Sequence, residues 1–202
     1  MEAPKMPHHH TYYFPKTFEA WKKEVLCAVE IVKLKAGAMT EVASDEKGNV
    51  PAGIFILLAA FAMAFQSYLF PVRFMGIVYR PGLDTVIVQA IFYAVCSAVG
   101  IFILGLVAEK LFKGKVKPCE FFRVCGYAAL LGIVSLLPMV GMLAGLWMLV
   151  VYFMALKNVQ KLDDVPAIGA LVVAAVAVVV VAGVLGAVFG GMMYGGMMGY
   201  SF

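Results

Sequence analysis

The paired methionines Met192-Met193 and Met197-Met198, five residues apart and each preceded by Gly-Gly, are the residues whose type and spacing most invite a chemical role. Thioethers are soft ligands that suit Cu(I). Methionine also fills irregular apolar surface, so the tail GGMMYGGMMGYSF reads first as packing or partner-docking sequence and only second as a weak metal site. His8-His9-His10 sits in a Pro-flanked leader and reads as a solvated tract, a tag remnant or a weak metal ligand. Cys27, Cys96, Cys119 and Cys125 lack CxxC or CxxCH spacing, which argues against a zinc ribbon or haem attachment and leaves them as small apolar groups. Asp163 and Asp164 stand beside Lys157 and Lys161, and are expected to cap a helix or form surface pairs. The chain has no HExxH, GxxxxGK[ST] or GxSxG motif. No enzyme activity and no cofactor are therefore expected.

The surroundings of these residues are set by composition. Hydrophobic residues make up 63% of the 202, charged residues 14%, and mean hydropathy is +0.94. A soluble domain carries about 25% charge and roughly 45–50% apolar residues, so most of this chain belongs in lipid. The longest apolar stretch, from Cys119 to Leu156, exceeds the roughly 20 helical residues that cross a bilayer and must fold back. Its turn is placed at Leu137 to Gly141, because Pro138 removes a backbone donor and Gly141 allows close approach.

Five spans follow: 54–70, 85–107, 121–137, 139–156 and 167–189. Gln66 and Ser67 in the first are expected to hydrogen-bond within it or across to a neighbour, and Gln89 in the second to pair with Gln66. Residues 16–36 form an amphipathic helix, with Phe18, Trp21, Val25, Val29 and Val32 at spacings of three and four. Trp21 and the snorkelling lysines would lay it on the membrane interface or on a protein partner. Residues 37–48 read as a polar connection. The expected architecture is all-α and polytopic: a cytoplasmic segment 1–50, a five-helix domain 51–190, and a tail 191–202 outside.

Charge orients the spans. With the N-terminus inside, fourteen basic residues are cytoplasmic, namely Lys5, Lys16, Lys22, Lys23, Lys33, Lys35, Lys47, Lys110, Lys113, Lys115, Lys117, Arg123, Lys157 and Lys161. Only Arg73 and Arg80 remain outside. That asymmetry argues for a cytoplasmic N-terminus and an outside C-terminus. The net charge of +4 is thus a topological signal, and nucleic acid is not an expected partner.

The segment from Cys119 to Ala175 resembles the Yip1/YIF family of five-span membrane proteins. It carries a Phe-Arg-x-x-x-Tyr pattern at Phe122, Arg123 and Tyr127, a Pro-x-x-Gly turn at Pro138 and Gly141, Trp147 in the fourth span, and Leu156-Lys157 with Leu162 before an alanine-led fifth span at Ala167. By pattern alone the likeness extends over residues 14–189, with Trp21, Val25 and Leu26 similar to the family's membrane-edge helix and Cys27 where a proline often stands. The resemblance implies a five-helix fold. It also implies protein-contact roles, since eukaryotic members act in early secretory trafficking and bind small Rab-type GTPases or one another. The short leader and plain loops are closer to a prokaryotic member, in the inner membrane, for which GTPase binding is not expected. The structural and interaction residues so marked are Trp21, Phe122, Arg123, Tyr127, Pro138, Gly141, Trp147 and Lys157.

The functional expectation is an accessory or scaffolding subunit working through membrane lipids, other membrane proteins or self-association. A small-solute or copper permease is the alternative. Reporter fusions placed after residues 112, 160 and 202 should read inside, inside and outside, and an inside C-terminus would overturn both the span count and the orientation.

Overall fold

The computed structural model describes the backbone of residues 14–70, 72–74, 77–79 and 82–198, with side chains for 14–70, 82–184 and Ala187. The all-α, five-span architecture is present. Five helical spans are long and apolar enough to cross a membrane, Glu46–Leu69, Leu83–Lys110, Pro118–Leu136, Pro138–Asn158 and Asp164–Val184. His8, His9, His10 and Lys5 lie outside the described residues.

Helix α1, Phe18–Val32, starts at Thr17, whose hydroxyl accepts from Ala20 N–H at 3.2 Å. After α1 the chain turns through Leu34 in the left-handed region at φ 63°, and Lys35 N–H bonds back to Glu30 O at 3.1 Å. A second short helix follows, α2, Ala36–Ser44. This corrects the expected polar connection. Met39, Val42 and Ala43 are buried at spacings of three and four, so a stripe only two turns long is enough when it docks on a neighbouring bundle.

The first spanning helix, α3, runs Asn49–Leu69 and includes Pro51, which is tolerated because it falls in the first turn, where N–H groups lack intrahelical partners. A hairpin of two three-residue strands, β1 Val72–Phe74 and β2 Ile77–Tyr79, pairs antiparallel with Val72 opposite Tyr79. It leads to α4, Leu83–Lys110.

The third span combines two geometries. Helix α5, Pro118–Ala128, passes directly into a 3-10 helix, Ala129–Leu136. At 2.0 Å rise per residue instead of 1.5 Å, the 3-10 half stretches nineteen residues to about 32 Å, where an all-α segment would reach about 28 Å. A sequence short for a span thereby matches a hydrocarbon core of about 30 Å.

Helix α6, Pro138–Asn158, begins with Pro138 at its N-terminal position, so the fold-back occurs where proline and glycine place it. The last helix, α7, runs Asp164–Met198. It continues through Gly190 and Gly191, so the expected boundary between the fifth span and a separate tail falls inside a helix about 52 Å long.

The spans meet through small residues. A Cβ on Gly126 would lie 2.6 Å from Ala52 Cβ, and one on Gly132 would lie 2.8 Å from Ala59 Cβ, so α5 and its 3-10 extension approach α3 nearly backbone to backbone. Gly105 of α4 faces the Pro118 backbone at 3.1 Å in the same sense. The expected bond between Gln66 and Gln89 is replaced: Ser67 Oγ donates to Gln89 Oε1 at 3.0 Å, one residue along α3 and so on a different face from Gln66.

At the fold-back, a Cβ on Gly141 would stand 2.9 Å from Ser135 Cα and 3.3 Å from Ser135 O, whereas nothing lies within 4 Å of one on Gly145. Gly141→Leu should therefore cost about 1–3 kcal/mol and lower the thermal unfolding temperature of the detergent-purified protein. Gly145→Ala should be neutral or slightly stabilising. Equal behaviour of the two variants would show that α6 does not pack on the 3-10 helix through this turn.

Candidate functional site

Four of the residues marked by the sequence converge on the N-terminal helices. Arg123, on the second turn of α5, is buried; its Nε donates to Asn49 Oδ1 at 2.9 Å and its Nη1 donates to Ala43 O at 2.5 Å. Ala43 is in the last turn of α2, where carbonyls have no intrahelical donor and carry the negative end of the helix dipole. The guanidinium thus serves that helix end while its charge is partly balanced by it. Sequence alone counted Arg123 among the cytoplasmic charges that orient the spans; the fold makes it internal.

Trp147 plays the matching part for α1. Its indole Nε1–H donates at 2.9 Å to Val32 O, the carbonyl of the last α1 residue. Tyr127, one turn beyond Arg123, donates its hydroxyl to Glu24 Oε2 on α1. Gly48 packs against both α5 side chains, with ordinary contacts of 3.5 Å to Tyr127 and 3.7 Å to Arg123 from its Cβ position.

Around this polar clamp runs an aromatic chain. Phe14, Trp21, Phe55 and Tyr127 meet edge to face, with successive ring centroids 5.8, 6.3 and 5.3 Å apart. Trp21 is therefore a packing element between α1 and α3, although the sequence reads it as a residue at the lipid boundary. The apolar face of α1 divides in two. Trp21, Ala28 and Ile31 turn toward the bundle, while Phe18, Val25 and Leu26 remain exposed, with Lys22 and Lys33 beside them. The amphipathic helix consequently presents one face to the protein and a second apolar strip outward.

The remaining marked residues stand elsewhere. Phe122 is half-buried on the side of α5 facing α3 and α4, beside Asn49, Val50 and Ala94. Lys157 pairs with Asp164 at 2.5 Å and lies 5.7 Å from the centre of the Phe153 ring, which fixes the α6–α7 loop. Pro138 and Gly141 belong to the fold-back, away from the clamp. Met192, Met193, Met197 and Met198 lie on the helical continuation of α7.

Sequence reasoning missed Glu24, Asn49 and the two helix-end carbonyls. Only Glu24 left a signal: a carboxylate set three residues after Trp21 and four before Ala28 interrupts the buried stripe of α1.

Chemically, the arrangement is a clamp of neutral and charged hydrogen bonds. Among the described residues no group of three or more His, Cys, Asp or Glu side chains is placed to hold a metal ion. Cys27, on α1, has its thiol pushed up from the ordinary range by burial first and by the nearby carboxylates of Glu24 and Glu41 second. All four cysteines are free.

Fold and site together define an all-α polytopic integral membrane protein whose N-terminal helices are fastened to the bundle. No family model matches the chain, and no curated protein and no solved structure matches it either.

Trp147→Phe should cost about 1–3 kcal/mol by leaving Val32 O without its donor, and Arg123→Met should cost more because two bonds and a helix-end charge interaction go together. The local readout is Cys27. Its raised pKa and burial make thiol labelling slow at pH 7, and release of α1 in Arg123→Met should accelerate it severalfold, as resolved by mass spectrometry. Unchanged labelling would mean that the clamp does not hold α1.

Proposed function

We propose that the protein is a non-enzymatic accessory or scaffolding subunit of a membrane complex, acting through helix, lipid and partner-protein contacts. The observation that carries this reading is the fastened N-terminal platform. Helices α1 and α2 are held by Arg123, Tyr127 and Trp147, yet α1 keeps Phe18, Val25 and Leu26 exposed next to lysines. A rigid amphipathic surface of this kind suits an interface with lipid headgroups or a second protein.

Its orientation is read from charge. The segments α1, α2, 111–117 and 159–163 gather at one end of the bundle, through Arg123, through the bond from Lys115 N–H to Gln160 O, and through Asn158 Nδ2 donating to Met39 Sδ at 3.8 Å. Among the described residues, the lysines counted as cytoplasmic lie on those segments or at their edges, which supports an N-terminus inside and a C-terminus outside in a prokaryotic inner membrane. The likeness to the Yip1/YIF family belongs to the same reading, because three of the residues matching its pattern in α5 and α6, Arg123, Tyr127 and Trp147, are those that fasten the platform. A permease is less well supported. The cleft between α4, α6 and α7 is lined by apolar side chains such as Ile101, Leu104, Leu149 and Leu171, with no ionisable group other than cysteine and tyrosine.

Purification of the full chain from its native membrane in mild detergent or nanodiscs should yield a stoichiometric larger complex. Isolation as a lone monomer would count against the subunit reading. Reproducible solute flux from reconstituted vesicles, or Cu(I) binding lost on truncation after Phe189, would overturn it in favour of transport or metal handling.

A further inference from the structure

Helices α4, α6 and α7 do not fill the space between them. A cleft of about 380 Å³ remains, within the range of small-molecule pockets of about 300–1,000 Å³. Gly100, Leu104, Leu149, Tyr152, Ala175 and Val178 are among its walls. Its depth follows from position along the helices. Tyr152 lies six residues before the end of α6 and Val178 fourteen after the start of α7, so the cleft occupies a zone from about 9 to about 21 Å from the loop-bearing end. That is the half of the bilayer adjoining the basic loops.

The loops at that end are fastened together. Gln160, fully buried, accepts Val116 N–H on Oε1 at 3.2 Å, and its backbone carbonyl accepts Lys115 N–H at 3.1 Å. The segment after α4 is thus bound to the segment between α6 and α7, over the same three helices that line the cleft. Lys110 pairs with Glu109 and Lys157 with Asp164. Lys113, Lys115, Lys117 and Lys161 are exposed and have no acidic partner within ion-pair distance among the described residues. Counting Glu120 and Asp163 as well, six lysines face four carboxylates on these segments, an excess of positive charge above an apolar cleft.

We propose that this cleft and the lysines over it form a binding site for one anionic phospholipid of the adjoining leaflet. An acyl chain enters the cleft sideways from the bilayer, and the headgroup phosphate stays at the interface beside Lys113 and Lys161. The apolar walls account for the chain, and the unpaired ammonium groups account for the negative headgroup. A lysine near an anionic lipid surface contributes about 1 kcal/mol, a factor of about five in affinity, so two of them give a preference of about one order of magnitude or more over a zwitterionic lipid. The site rests on the bilayer-spanning fold alone and holds whether or not the protein serves a larger complex.

Native mass spectrometry of the full chain, titrated with phosphatidylglycerol and with phosphatidylcholine of matched chains, tests it. One phosphatidylglycerol should be retained at least tenfold more tightly than phosphatidylcholine. The double variant Lys113→Gln/Lys161→Gln, exposed and remote from the core, should bring that ratio close to one. Ala175→Phe, which puts a ring into the cleft from its exposed rim, should weaken both lipids at least fivefold; Leu149→Phe on the opposite wall replaces it if the first variant unfolds. Equal retention of the two lipids by the unaltered chain, a preference that survives the lysine substitutions, or retention unaffected by filling the cleft would each overturn the proposal.

Discussion

The constraint on which the structure turns is the need to satisfy helix-end carbonyls in or beside lipid. Helices α1 and α2 both stop against the bundle, and the last carbonyls of any helix have no donor of their own. Water would serve them on a soluble surface, but against an apolar bundle an unpaired carbonyl costs about 1–3 kcal/mol. Arg123 reaches Ala43 O and Trp147 reaches Val32 O, so each helix end is served by a donor from a spanning helix. These two bonds decide where the N-terminal segment lies, and the aromatic chain from Phe14 to Tyr127 then fills the space they leave.

The same clamp sits where α5 approaches α3 closely. Arg123 reaches Asn49 at the start of α3 and Ala43 just before it. Gly126 against Ala52 and Gly132 against Ala59 provide that approach along the length of the span. The 3-10 geometry of residues 129–136 belongs to this solution as well. It lets a span that is α-helical where it carries the clamp still reach the other side of the bilayer, although i to i+3 runs of this length are uncommon.

What was legible beforehand was what lipid enforces strongly. An unbroken apolar run has one backbone solution, so the spans and the proline turn at Pro138 were readable to within a few residues. Arg123, Tyr127 and Trp147 were marked by the resemblance to the Yip1/YIF pattern, and they do form the clamp. Their acceptors did not stand out, because the carbonyls of Ala43 and Val32 have no side-chain signature. Helix α2 was hidden for a related reason: with nine residues and three buried side chains, it owes its order to the surface it docks on. The continuation of α7 beyond the fifth span, through Gly190 and Gly191, had no signal in the sequence.

Gln160 shows the cost of this economy at the loop-bearing end. Its carbonyl groups tie together two segments 44 residues apart, yet its Nε2 is buried with no acceptor. The amide could be turned only by giving up the bond to Val116 N–H, so one orphan donor is exchanged for another. Gly114 completes the constraint, since a Cβ there would lie 2.2 Å from Gln160 Oε1. The ends of α4, α6 and α7 are thereby held by a small polar knot, while along their spanning length these helices meet through Val, Leu, Ala and Gly. Fixed ends and weakly specified middles are what allow a cleft to persist between these helices.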